Sequence, residues 1–216
     1  MGEVAEYEKV EPNSGSQNRT IIRSSIIESR YEQLQKSRII FVQGVITLQS
    51  VAMLTADVLT AGFEKDDFKK PVWVVINSPG GDVYSGLAIH DLFMMMRHQG
   101  LEVYTVAYGV VASIAMPILQ AGTRRFSLPN AHMVIHQVSL HGLSGPEINQ
   151  LDDEVKNTMR VNNRILKIIA ERCGVTEEKL AGDSNKKDVL FSPEEAMGYG
   201  SHGLIDEIIP SIPFPV

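Results

Sequence analysis

Three short segments combine residue types that suit nucleophilic chemistry. In the first, Asn77-Ser78-Pro79-Gly80-Gly81-Asp82, two adjacent glycines follow an apolar run and precede a helical one. Such a pair permits unusual backbone angles, and peptide N–H groups at a helix start can hold an anion or form half of an oxyanion hole. A plain tight turn would use the same residues. The lysine and spacing of a phosphate-binding P-loop are missing. In the second, Tyr108-Gly109-Val110-Val111-Ala112-Ser113-Ile114-Ala115, a serine stands where a strand passes into a helix. Free N–H groups and the positive end of a helix dipole there favour a nucleophile that generates an oxyanion. An ordinary N-cap serine also fits, and the segment is not a G-x-S-x-G elbow. In the third, Ala131-His132-Met133-Val134-Ile135-His136-Gln137, His136 ends an apolar strand 23 positions after Ser113. It is a candidate general base, although a core histidine would occupy the same place. His132 reads as structural. His90, His98, His141 and His202 have no constellation around them, and no histidine pair has metal-ligand spacing, so no metal site is expected.

The elements that must position these residues can be read from periodicity. Residues 26–35 have helical spacing, and Arg38-Ile39-Ile40-Phe41-Val42 reads as a buried strand. Residues 47–63 form a helix, and residues 64–70 a charged turn. Strands are expected at 72–77, 103–107, 125–128, 133–136 and 205–209, with helices at 83–96, after Ser113, at 146–173 and at 192–197. The last helix opens with Ser192 as cap, Pro193 at the first position and Glu195 three after the cap. The long helix over 146–173 carries an apolar row, Ile148, Leu151, Val155, Met159, Ile165 and Ile169, among many charges, and so needs a partner surface. Apolar strands alternating with helices mean an α/β domain with a largely parallel sheet covered on both faces. Residues 1–25 are polar and read as a flexible amino-terminal arm, with residues 26–216 as one domain.

Composition excludes several functions. The chain has 216 residues, 20 basic and 26 acidic, for a net charge of −6. That balance disfavours nucleic-acid binding, which draws on basic excess. Cys173, the lone cysteine, excludes an internal disulfide framework and a polycysteine zinc site. No segment reaches the roughly 18–20 consecutive apolar residues of a membrane span. The acidic, polar start is unlike a signal peptide, so a cytoplasmic location is expected.

Taken together, the segments resemble one family. Ile76-Asn77-Ser78-Pro79-Gly80-Gly81, then Gly109-x-x-Ala112-Ser113, then Arg125-Phe126-x-Leu128-Pro129-Asn130-Ala131-x-x-x-Ile135-His136-Gln137 resemble the proteolytic subunit of Clp protease. So do Ser192-Pro193-Glu194-Glu195-Ala196-x-x-Tyr199-Gly200 and Gly203-Leu204-Ile205-Asp206. The resemblance runs in order over roughly residues 26–209. It implies a serine endopeptidase with Ser113 as nucleophile and His136 as base. The acid falls four positions before Ser192, at Asp188, with Asp183 the lesser candidate. It further implies an oxyanion hole from the backbone N–H groups of Gly81 and Ile114, and substrate contacts from Gly80, Gln137 and Val138. No cofactor or metal is implied.

The same resemblance implies a crotonase-like α/β fold of repeated β-β-α units with a protruding strand-helix handle, the helix lying at about 146–173. Heptameric rings stacked in pairs would enclose a chamber, fed with unfolded polypeptides by a ring-shaped AAA+ unfoldase. Val110, Val111 and Ile114 around the nucleophile, and Val138-Ser139-Leu140-His141-Gly142 after His136-Gln137, depart from the usual family residues. Other readings are an acyl-CoA enzyme of the crotonase type, a Ser-Lys peptidase, a viral capsid-maturation protease and an inactive ring subunit. The first needs no Ser-His-Asp set. No lysine lies near Ser113 for the second.

Overall fold

Runs of β-branched residues too apolar to face water on either side build the centre of the molecule. In the computed structural model, which describes residues 37–60, 70–138, 148–185 and 188–212, these runs are strands β1 (Ile39–Gln43), β2 (Val72–Ser78) and β3 (Val103–Ala112). Val72, Val74, Ile76, Val103 and Val106 are completely buried among them. The remaining strands are β4 (Arg124–Ser127), β5 (His132–Ile135), β6 (Val189–Phe191) and β7 (Glu207–Ile208). The helices are α1 (Leu48–Thr60), α2 (Val83–His98), α3 (Ala115–Gln120), α4 (Ile148–Cys173), α5 (Glu177–Asp183) and α6 (Pro193–Met197).

The sheet has seven strands, with β1-β2-β3-β4-β7 as its main path and all of those pairs parallel. It forks at β3. Residues Tyr104 to Ala107 of β3 pair with β4, whereas Val110 to Ala112 pair with β5. The fork coincides with a register shift against β2, between Ile76 and Ser78. Gly109 lies in this bulge with φ +70°, a left-handed conformation that favours glycine. A Cβ there would meet the Asn77 Oδ1 at 2.8 Å, and that same oxygen accepts a hydrogen bond from the Val110 N–H at 3.2 Å. Strand β3 therefore runs to Ala112, beyond the expected end at 107.

The α/β class and the Clp-type arrangement agree with this architecture. The expected cap of the last helix is present: Ser192 accepts from the Glu195 N–H while the Glu195 carboxylate accepts from the Ser192 N–H. Two elements were not anticipated, α5 and β6. They are seven and three residues long, too short for periodicity to declare them. The expected amino-terminal arm, the helix at 26–35, the charged turn at 64–69, His141 and the first residues of the handle lie outside the described residues. No described helix is long and apolar enough to cross a membrane.

Helix α4 divides in two. Ile165, Leu166, Ile168 and Ile169 of its second half are buried in the core, whereas Leu151, Val155 and Met159 of its first half are exposed. Residues 202–206 are held by a buried arginine. Arg125 of β4 donates to Gln120 Oε1 (2.8 Å), to the carbonyls of Gly203 (2.8 Å), His202 (2.9 Å) and Arg172 (3.2 Å), and to the Asp206 carboxylate. Burial alone would raise the Asp206 carboxyl, but hydrogen bonds and charge from Arg125 outweigh it and hold it below its ordinary value. A carboxyl depressed by folding contributes stability above its unfolded pKa of about 3.9, and that contribution is lost as pH falls through the folded value. Asp206→Asn leaves the buried guanidinium without its countercharge. It is expected to lower stability by about 2–3 kcal/mol at pH 7. Urea unfolding across pH checks this: the gap between variant and unsubstituted protein should narrow below about pH 4.

Candidate active site

The carboxyl ends of β3 and β5 lie side by side, which is where parallel sheets place their sites. Ser113 follows directly on β3. Its N–H donates to the Val134 carbonyl of β5 at 3.0 Å, and its carbonyl accepts from the Met116 N–H at 2.9 Å. The backbone of Ser113 has φ +58°, left-handed although it is not glycine. That conformation costs about 1–2 kcal/mol for a residue with a side chain. The tight turn from β3 into α3 imposes it.

Gly80 lies against this turn. A Cβ at Gly80 would come within 2.7 Å of the Ser113 Cβ and 2.9 Å of the Ala112 carbonyl. Gly80 does not line the cavity; its lack of a side chain makes room for Ser113. At Gly81 a Cβ would strike the Ile46 carbonyl at 2.3 Å. The Ile46 N–H donates to Gly80 and the Asp82 N–H donates to Ile46, each at 2.9 Å. This bridge turns the Gly81 N–H away from Ile46. Neither it nor the Ile114 N–H donates to an acceptor among the described residues. Helix α2 then starts at once, with Asp82 as its cap accepting from the Ser85 N–H at 2.8 Å. Gly86 of α2 lets that helix press against Ile114, where a Cβ would meet Cγ1 at 2.1 Å.

A cavity of about 100 Å³ opens here, lined by Gly81, Val83, Ser113, Ile114, His136, Val138 and Ile165. It brings together the expected nucleophile, base, both expected oxyanion donors and Val138. His136 is half-buried just beyond β5. Its Nδ1 lies 2.7 Å from the Gln137 carbonyl. A carbonyl only accepts, so Nδ1 carries the proton, and in the neutral ring Nε2 is left with a free lone pair. That is the tautomer a general base requires. The Gln137 side chain is exposed.

Asp188 is exposed and makes no hydrogen bond or ion pair among the described residues. Its relation to His136 comes from strand register. In the antiparallel pair of β5 and β6, Met133 faces Phe191, Val134 faces Leu190 and Ile135 faces Val189. Continuing this register by one residue sets Asp188 opposite His136. Opposed residues on antiparallel strands hold their Cβ atoms about 4.5–5.5 Å apart. Asp183, the lesser candidate for the acid, has its carboxylate engaged elsewhere. It accepts from the Tyr199 hydroxyl at 2.7 Å and pairs with Lys179 at 2.8 Å. Burial pushes the Cys173 thiol up, so the single cysteine is no rival nucleophile.

Sequence reasoning missed three features of the site. Val83 and Ile165 wall the cavity, yet an apolar residue at helical spacing carries no mark of a site. Asn162 of α4 accepts from the Val138 N–H at 3.2 Å, tying the long helix to the segment after His136. Its position on the polar side of an amphipathic pattern gave no hint of this. The left-handed Ser113 had no signal beyond the crowding of small residues around it.

Comparison with known proteins agrees with this geometry. The Clp protease family pattern matches residues 23–211. The chain is also similar to the ATP-dependent Clp protease proteolytic subunit 3 of Synechococcus sp. (strain CC9902). The two are 34% identical over 181 residues, covering 83% of this chain and 86% of the relative. With a match over most of its length, and a cavity where a left-handed serine and a histidine meet, the chain belongs to the Clp protease family and is a serine peptidase.

Proposed function

We propose that the chain cleaves peptide bonds of unfolded proteins with a Ser113-His136-Asp188 triad, as one subunit of a ring-shaped chamber. The observation that supports the triad is the register of β3, β5 and β6: β5 pairs with the end of β3 and with β6, and Ser113, His136 and Asp188 each stand one residue beyond a paired strand end. Ser113 Oγ attacks the scissile carbonyl while His136 Nε2 takes its proton. The Asp188 carboxylate holds the imidazole in the Nδ1–H tautomer and stabilises the imidazolium that forms. The oxyanion is received by the Gly81 and Ile114 N–H groups, which have no acceptor among the described residues and so are pre-organised for it. His136 returns its proton to the departing amine. Water then attacks the acyl-enzyme by the same route.

The chamber rests on different support. The exposed row of Leu151, Val155 and Met159 lies along one amphipathic helix and suits burial against further copies. A cytoplasmic homo-oligomer of heptameric rings would hide that row and confine the sites. Unfolded chains would be supplied by an AAA+ unfoldase, so ATP would be consumed on the partner.

Ser113→Ala is expected to lower cleavage of a short fluorogenic peptide by about 10⁴–10⁶-fold. Asp188→Asn should lower kcat by about 10²–10⁴-fold by disfavouring the productive tautomer. A fluorophosphonate should add its mass to Ser113. Absence of labelling together with thioester turnover would sink the peptidase reading in favour of acyl-CoA chemistry. A monomer by native mass measurement would sink the chamber.

Gly80→Ala tests the geometry separately from the chemistry. Its methyl group would displace the Ser113 Cβ, at a position where φ is +97°. Displacing a reacting group by about 1 Å can cost about 10²-fold. The variant should acylate with a fluorophosphonate at least about ten-fold more slowly while retaining its circular dichroism spectrum.

A further inference from the structure

We propose that Tyr199 and Asp183 form a positioning pair that holds the Asp188 backbone in reach of His136. The inference rests on the Ser113-His136-Asp188 reading. Asp188 makes no contact that would lock its own side chain among the described residues, so its place is set by the chain on either side. On one side, five positions earlier, stands Asp183 at the end of α5. On the other, three positions later, stands Phe191 of β6.

Tyr199 touches both sides. Its hydroxyl donates to Asp183 Oδ2 at 2.7 Å, a charge-assisted bond stronger than a neutral one. Its ring meets the Phe191 ring edge to face, with centroids 5.1 Å apart. Phe191 is in turn paired with Met133 of β5, the strand that His136 directly follows. Lys179 closes the group, with its ammonium 5.4 Å from the Tyr199 ring centre and 2.8 Å from the Asp183 carboxylate.

The tyrosine therefore ties the end of α5 to β6, the described elements on either side of Asp188. Ser184 is buried and its Oγ donates to the Leu180 carbonyl at 2.8 Å, finishing α5 firmly. Burial, and then the Asp183 carboxylate, push the Tyr199 phenol far above its ordinary value. The hydroxyl stays protonated and donating throughout the pH range of a peptidase assay. Tyr199 also follows α6 and precedes the turn clamped by Arg125, so its own backbone is well held.

The two functions of Tyr199 separate by substitution. Tyr199→Phe keeps the ring contact with Phe191 and removes only the bond to Asp183. It is expected to lower kcat about ten-fold with little change in KM, because the acid is displaced and the cavity is not. Asp183→Ala should behave alike, and the double variant should be no worse than either single one. Asp183→Asn, whose amide oxygen still accepts from the hydroxyl, should recover most of the loss. In an Asp188→Asn background, Tyr199→Phe should change kcat by less than about two-fold, since there is no carboxylate left to position.

A purely structural tyrosine would act equally in both backgrounds, and that additivity would overturn the proposal. So would unchanged kcat in Tyr199→Phe while Asp188→Asn is crippled. If Asp188→Asn itself turns over normally, the triad reading fails and the positioning pair fails with it. The assay uses the full assembled protein, with thermal midpoint and assembled mass followed for each variant. A kcat loss that appears only with a loss of assembly would also overturn it.

Discussion

A strand that changes partners halfway along must kink, and the kink in β3 at Gly109 is what the site depends on. Up to Ala107 the strand is the middle of a conventional parallel sheet, flanked by β2 and β4. After the bulge it pairs with β5 instead. The bulge is stabilised by Asn77 of the neighbouring strand, whose Oδ1 takes the Val110 N–H. Asn77 also begins the glycine loop. One residue thus braces the branch that ends in Ser113 and opens the loop that ends in Gly81.

Close packing then decides how much freedom remains at the serine. Gly80, Gly81 and Gly86 are each pressed against a neighbour where a Cβ would intrude, on Ser113, Ile46 and Ile114 respectively. The glycine loop, the β3–α3 turn and α2 can approach only because these three carry no side chain. Such contacts are effectively rigid, since protein interiors are packed as densely as organic crystals. The left-handed backbone of Ser113 persists under this confinement, with its N–H tied to Val134. Strain of this kind survives where the surroundings over-determine it. Two amides that donate to no acceptor among the described residues, Gly81 and Ile114, line the same cavity as the serine.

The parts of this arrangement that were legible in the sequence are those with a long or chemically distinctive signature. The apolar strands 72–77 and 103–107, the helix at 83–96 and the Ser192 capping box declare themselves by period and by cap. The glycine pair, Ser113 and His136 stood out by residue type, yet each had an innocent local explanation, and it was their order and spacing together that resembled a family. The fork in β3 was hidden, because a bulge is a property of two strands and no single one announces it. Strand β6 is three residues, and only its pairing with β5 gives Asp188 a geometric relation to His136. Asn162 and Tyr199 act through hydrogen bonds to groups 24 and 16 positions away, which no local pattern encodes.

The imidazole of His136 shows how the proposed acid would matter. Its Nδ1–H rests on the Gln137 carbonyl, a neutral acceptor one residue away. That bond selects the correct tautomer but offers little to an imidazolium, which is the species formed when Ser113 loses its proton. A carboxylate is a stronger acceptor by roughly a factor of two, and it also supplies the countercharge. The Asp188 carboxylate therefore gains most over the Gln137 carbonyl when His136 is charged. The difference between the two acceptors is a difference between transition state and ground state, and only such differences accelerate a reaction. An acid that is loosely held forfeits that advantage, because bringing it up must be repeated in each turnover. On the proposed triad, constraining the backbone of β6 and the end of α5 would thus be a catalytic matter as well as a structural one.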